Sequence, residues 1–287
     1  MIIVKIIGGL GNQMFQYAYA KVLQQKGYTV KIDISAFETY KLHGGYQLDK
    51  YNIDLKISTK EENDKFYKNH FIAKTLRRLG FDNSNIIQEK SLAFDEKLLN
   101  IKNYNYISGY FQNEMYFKEI KEILLKEFTL NLDKSKYTNK IENEILDSKD
   151  SCAIHIRRGD YSNSTNINIH GVCDLAYYDK AISFINSKYD DLKYFIFSDD
   201  ILWVKENLKM RNAIYYIDSE EKRTPHEDMY LMSLCKNNII ANSSFSWWGA
   251  WLNKNDEKIV IAPKRWFSDD TLEKQSKNIV CDSWLKI

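Results

Sequence analysis

The stretch Ala153-Ile154-His155-Ile156-Arg157-Arg158-Gly159-Asp160-Tyr161 decides how the rest of this 287-residue sequence is read. Apolar residues alternate into His155 as in a buried strand, and the run then breaks into two arginines, a glycine and an aspartate. That is the pattern of a strand delivering charge to the carboxyl edge of a parallel sheet, the edge at which open α/β sheets bind ligands. Adjacent guanidiniums offer permanently charged forks matched to phosphate oxygens, Gly159 permits a turn or a close approach, and Asp160 can hold an arginine in place. The functional reading is an anion site, above all for a diphosphate. Taken alone, the same residues also fit a solvated strand end with a local Arg-Asp pair. The remainder of the chain has to decide.

Downstream, the alternation of elements is clean. The pattern predicts a strand over 152–157, a polar loop over 161–173, a helix over 174–187 and a strand over 194–197, with Ser198-Asp199-Asp200 capping a helix that runs to 208. Strands at 213–217, 238–241 and 258–262 follow, separated by helices at 226–235 and 246–253. Five strands separated by helices predict a parallel, Rossmann-like domain. Two further groups lie at helix starts within it, His226-Glu227-Asp228 and Asn242-Ser243-Ser244-Phe245-Ser246-Trp247-Trp248-Gly249. The serines follow a short apolar strand, so their hydroxyls and amides stand at a helix N-terminus suited to phosphate. Asp228 can accept two donors from a base edge such as guanine; as an ordinary first-turn carboxylate it would simply face the helix dipole.

Upstream, residues 2–7 read as a strand, followed by Gly8-Gly9-Leu10-Gly11-Asn12, a helix over 13–23 ended by Gly27, and a second strand over 28–33. This is a βαβ unit opened by a glycine loop. Gly9 and Gly11 match a dinucleotide fingerprint, but Met14 holds the place of the third glycine, which weakens a nicotinamide site. Backbone amides at such a loop still suit an anion, and Asn12 adds a neutral donor. Residues 36–100 carry no interpretable motif. A strand over 104–112 ends in a glycine-aromatic turn, and a helix is expected over 114–127. Between Thr129 and Asp150 the composition shifts to Lys, Asn, Asp and Glu, placing a domain junction there, with one domain over 1–135 and the other over 150–287.

Composition bounds the function. Forty-one basic against 39 acidic residues leave a formal charge of +2, too balanced for a nucleic-acid field, so anion binding must be local. Four cysteines without Cys-x-x-Cys spacing read as reduced and structural, in a cytoplasmic compartment. No run approaches the ~18 apolar residues that span a bilayer. Contact with a membrane would be peripheral.

Taken together, residues 8–18, Gly109-Tyr110-Phe111-Gln112, residues 155–161, Phe197-Ser198-Asp199-Asp200 and residues 243–252 resemble, in family order, the bacterial α-1,2-fucosyltransferases of glycosyltransferase family 11. The resemblance implies a GT-B fold of two Rossmann-like domains facing across a cleft. It implies GDP-β-L-fucose as donor, inversion to an α-fucoside, the 2-hydroxyl of a terminal galactoside as acceptor, and no metal or other cofactor. The arginines can supply the charge a metal would otherwise bring. A role in surface glycan assembly at the cytoplasmic face of the membrane, with a lipid-linked acceptor as one form of it, belongs to the same expectation.

By the same resemblance, Arg157 contacts the β-phosphate and stabilises the leaving diphosphate, and Arg158 contacts phosphate or buttresses Arg157 and Asp160. Asn12, Gly9 and Gly11 line the fucose and diphosphate side, and Asn12 joins the two arginines as a catalytic candidate. His155 and Asp228 bind the guanosine, while Ser244, Phe245 and Ser246 close over the phosphates. The general base is open among Asp160, Asp199, His170 and others, and the loop over 162–173 is the expected acceptor-facing segment. A fucosyltransferase of different linkage or donor, or a nucleotide-binding module without catalysis, would use the same residues.

Overall fold

The computed structural model describes residues 1–40, 42–66, 85–158, 169, 171–210, 212–217 and 223–287. The chain divides into two compact units, Met1–Thr129 and Leu130–Ile287. Residues 130–149, where composition suggested a junction, thus belong to the second unit.

The first unit is a five-stranded parallel sheet. Its strands are β1 (Ile2–Lys5), β2 (Val30–Asp33), β3 (Lys56–Ile57), β4 (Ile86–Gln88) and β5 (Asn105–Ser108), in the order β3-β2-β1-β5-β4. Helix α1 (Leu10–Gln25) starts earlier than the sequence pattern suggested, so Gly11 and Asn12 already lie in its first turn. Gly27, at φ 89°, turns the chain out of the helix, a conformation open to glycine at little cost.

Every residue of α1 from Gln13 to Leu23 is buried. Buried polar groups need partners, and here each one ties the helix to another segment. Gln16 accepts from the backbone of Ile7 at 2.8 Å and donates to the carbonyl of Gly109 at 3.0 Å. Lys21 pairs with Glu127 at 2.5 Å and Asp54 at 2.7 Å, and the Tyr17 hydroxyl donates to Glu127 at 2.5 Å. The helix expected over 114–127 is instead broken at Phe117, whose backbone (φ −139°, ψ 5°) leaves the helical region; only α2 (Lys121–Glu127) is a true α-helix.

The second unit opens with α3 (Lys136–Leu146) and is built on a six-stranded parallel sheet. In chain order its elements are β6 (Asp150–Ile156), α4 (Leu175–Asn186), β7 (Leu192–Ser198), α5 (Ile201–Asn207), β8 (Ile214–Ile217), α6 (Pro225–Leu234), β9 (Asn237–Ile239), α7 (Ser244–Trp251), β10 (Val260–Ala262), α8 (Asp270–Gln275) and β11 (Leu285–Lys286). The strand order is β11-β10-β9-β6-β7-β8. The five strands read from the sequence are all present; β11, only two residues long, was below the reach of any periodicity argument.

Period-2 alternation sorts this core into two faces. Cys152, Ile154 and Ile156 of β6 pack with Tyr194 and Ile196 of β7 against Tyr178, Ala181 and Ile185 of α4. Ala153, Phe195 and Phe197 pack on the other face with Leu231 and Met232 of α6 and with Ile141 and Ile145 of α3. Fully buried side chains of this size each contribute about 1.5–3 kcal/mol relative to exposure. With both faces covered, the open positions of the sheet are its carboxyl ends, where β6 delivers its arginines.

Candidate active site at the carboxyl ends of the strands

In the second unit, the strand alternation continues past the end of β6. Arg158 follows the parity of Ile156, and its guanidinium lies 3.6 Å over the ring of Trp203, which packs on that same face of the core. Its Nε is 3.8 Å from Asp200, while the Arg158 backbone N–H donates to Asp199 Oδ1 at 2.8 Å. Arg157 follows the parity of His155, and its Nε lies 3.3 Å from Asp199 Oδ2. Two carboxylates at the end of β7 therefore set the two guanidiniums at the end of β6. Both pairs remain about a quarter to two-fifths exposed, with Arg157 at 24%, Arg158 at 31%, Asp199 at 25% and Asp200 at 43%. Cations held this way stay open to a ligand.

His155 is buried, at 5% exposure, and its ring sits 5.6 Å from that of Phe245. Burial, aided by the charge of Arg157, lowers its pKa to about 3, so the imidazole is neutral at physiological pH. Its Nδ1 has no hydrogen-bond partner among the described residues.

Helix α7 begins where the Ser243 side chain accepts from the Phe245 backbone N–H at 3.3 Å. Ser246 is turned inward, its hydroxyl engaged with the carbonyls of Ala241 and Ser243 at 3.4 Å. Ser244 and Phe245 are the less buried residues of this turn. Asp228 lies in the first turn of α6, whose start is fixed by a capping box between Thr224 and Glu227. Burial pushes the Asp228 carboxyl up and Arg223, bonded to it through Nε, pulls it back, with the balance upward.

The first unit carries its own cluster at the ends of β1, β4 and β5. Gln112 donates to Asn12 Oδ1 at 2.7 Å, which fixes the amide so that Asn12 Nδ2 points the other way, towards Gly8. Glu89, after β4, accepts the backbone N–H groups of Tyr110 at 2.6 Å and Phe111 at 3.1 Å. Phe111 is held at φ 51° and its ring stacks on Tyr19 at 3.8 Å. Gln13 donates to the carbonyls of Gly8 and Gly45, both at 2.8 Å, and accepts from Gln47 at 2.9 Å, bracing Gly9 against the loop that carries His43.

Of the residues singled out from the sequence, Arg157, Arg158, His155, Asp228, Ser244, Phe245 and Ser246 all lie in the second unit, and Gly9, Gly11 and Asn12 in the first. Gly159, Asp160 and His170, with most of the loop over 162–173, lie outside the described residues. Sequence reasoning missed Glu89, Trp203 and Arg223. A glutamate after a three-residue strand and a tryptophan inside a short helix carry no spacing signal; Arg223 was findable only as the residue preceding the capping box. Among the described residues no group of three or more His, Cys, Asp and Glu side chains could hold a metal ion, and no helix is long and apolar enough to cross a membrane.

The profile of glycosyl transferase family 11 matches residues 1–287. The chain is 37% identical to an alpha-1,2-colitosyltransferase of Escherichia coli, over 100% of this chain and 99% of the relative. It is 32% identical to the O-antigen biosynthesis glycosyltransferase WbnK of Escherichia coli, over 98% of each. Among solved structures, the NodZ alpha-1,6-fucosyltransferase co-crystallized with GDP superposes with a TM-score of 0.52 at 12% identity, covering 86% of this chain and 90% of that one. That likeness establishes the fold as the GT-B type that the resemblance implied, and the two parallel α/β units agree with it. With a family match along its whole length, the chain belongs to glycosyltransferase family 11.

Proposed function

We propose that this glycosyltransferase moves an L-fucose-type 6-deoxyhexose from its GDP-activated donor to the 2-hydroxyl of a terminal galactoside, with inversion and without a metal ion. The observation that carries the reading is the succession of Arg157 and Arg158 at the end of β6, the first held by Asp199 and the second by Asp200 and the Trp203 ring. In the reaction the bond from the sugar C1 to the β-phosphate oxygen breaks, and its electron pair leaves with GDP. The acceptor oxygen bonds to C1 from the opposite face and its proton departs. Negative charge thus grows on the diphosphate, where two fixed guanidiniums stabilise it without reorganisation.

Neutral His155 and Asp228 suit the guanosine, and the first turn of α7 suits the phosphates. Asp199 is engaged by both arginines, which fits a buttress better than a proton acceptor.

The sugar itself has two readings. The alpha-1,2-colitosyltransferase at 37% identity favours colitose, the 3-deoxy counterpart of L-fucose, as strongly as the family favours fucose. The O-antigen assignment of WbnK supports an oligosaccharide acceptor, for which a lipid-linked form at the membrane surface is the natural extension. Incubating the enzyme with lactose and, in parallel, GDP-L-fucose, GDP-colitose or a UDP-sugar, each with and without EDTA, tests the proposal. Turnover of one or both GDP-sugars, unaffected by EDTA, supports it. Turnover of the UDP-sugar, or loss with EDTA, defeats it.

A further inference from the structure

Arg223 stands just before α6 with its side chain 5% exposed, which is costly for a guanidinium unless every contact is good. Nε bonds to Asp228 Oδ1, Nη2 donates to the Ile217 carbonyl at the end of β8 at 3.1 Å, and the Tyr137 ring lies 5.6 Å from the guanidinium carbon. Nη1 is buried and has no hydrogen-bond partner among the described residues. Asp228 is held from behind, yet its own side chain is 24% exposed. The pair is asymmetric: the cation is enclosed and the anion is presented.

We infer that Arg223 is the specificity-determining positioning residue of the nucleotide site, fixing Asp228 so that its open carboxylate edge accepts the adjacent donors of guanine. This rests on the GDP-sugar reading proposed above. Guanine offers N1–H and the 2-amino group side by side, both donors, to a carboxylate. Hypoxanthine keeps N1–H and lacks the amino group. Adenine offers a lone pair at N1, which meets the carboxylate as acceptor against acceptor and is rejected. An aspartate that took up a proton in its half-buried turn would present one donor and one acceptor, and one free to rotate would not keep both oxygens against the two donors; either way the distinction is lost. Arg223 prevents both by holding one oxygen and keeping the charge. Because it touches Asp228 and not the base, its effect is on discrimination between bases.

The test is the ratio of the dissociation constants of IDP and GDP, measured by calorimetry on the full chain, for wild type, Arg223→Lys and Arg223→Met, with folding checked by circular dichroism. A hydrogen bond from a neutral donor to a charged partner corresponds to roughly a 10- to 100-fold preference for GDP in the wild type. Both variants should bring the ratio to within about threefold of one by weakening GDP much more than IDP. General structural damage would weaken both nucleotides alike and leave the ratio in place. Arg223→Lys keeps the charge in the pocket, so it decides the matter should Arg223→Met unfold. An unchanged ratio in a folded variant, or a wild-type ratio near one, overturns the inference. If wild type prefers GDP to UDP yet does not distinguish IDP, this inference alone falls; if it does not bind GDP, the proposed function falls with it.

Discussion

The Asp199 carboxylate faces Arg157 with Oδ2 3.3 Å from Nε, while its other oxygen accepts the backbone N–H of Arg158 at 2.8 Å. One side chain just past β7 therefore fixes both the direction of one guanidinium and the backbone that carries the next. Because the pair is about a quarter exposed, its Coulomb energy is modest and its value lies in orientation.

Asp199→Asn keeps the shape and one acceptor oxygen, enough for the Arg158 N–H, but replaces the other oxygen by a donor and removes the charge that aligns Arg157. It should lower kcat by about ten- to a hundredfold, by loss of preorganisation, with a smaller change in GDP affinity. Steady-state kinetics beside GDP calorimetry separates the two. Equal losses in both would assign Asp199 to nucleotide binding instead.

Gln13 is fully buried and makes three hydrogen bonds, to Gly8, Gly45 and Gln47. Gln13→Leu preserves volume and leaves those backbone groups unpaired, so it should destabilise the fold by about 2–4 kcal/mol. Urea unfolding of the variant checks this. A loss below ~1 kcal/mol would mean that water replaces the brace.

A Cβ on Gly109 would meet the Glu89 Cβ at 2.5 Å and the Phe111 ring at 2.8 Å. Gly109→Ala must therefore displace either the carboxylate that holds Tyr110 and Phe111 or the ring stacked on Tyr19. We expect a loss of about 1–3 kcal/mol, together with reduced turnover because Gln112 no longer sets the Asn12 amide. Wild-type kcat at reduced thermal stability would uncouple this turn from the reaction.

His155 carries a definite pH signature. Its pKa in the fold is lowered to about 3 by burial and by Arg157, against an ordinary value near 6.5. The imidazole is neutral in both states above about pH 6.5, so its contribution there is complete. Below that the unfolded chain takes up a proton that the fold refuses, and stability falls by up to roughly 1.4 kcal/mol per pH unit as the pH drops towards 3. Relative to His155→Gln, wild type should lose stability between about pH 7 and pH 5 in chemical unfolding. A constant difference would show that His155 titrates normally.

How much of this was legible in the sequence depended on whether a feature repeats. The alternation in residues 152–157 foretold β6, its burial and the delivery of Arg157 and Arg158 to its end. Asp200 is the cap that Ser198-Asp199-Asp200 announced, accepting from the Trp203 backbone; Asp174 and Thr224 cap their helices as well, accepting from Tyr177 and Glu227, without having been singled out in the sequence. The described residues between 36 and 66 stayed opaque because long-range polar contacts of α1 hold the chain there. Gln13 reaching Gly45 and Lys21 reaching Asp54 are examples that no local periodicity encodes. The same holds for the site's supports. Trp203 under Arg158, Glu89 under Phe111 and Arg223 behind Asp228 come together only through tertiary packing.

The most direct test of the account is a transfer assay with the GDP-sugar that the enzyme accepts and lactose, comparing wild type with Arg157→Ala and assigning the product linkage by NMR. The account calls for an α-1,2-linked product from wild type. It also calls for a rate reduced about a hundred- to a thousandfold in Arg157→Ala, whose circular dichroism should be unchanged. A product linked at another hydroxyl, or an Arg157→Ala enzyme that turns over within a few-fold of wild type, would contradict it.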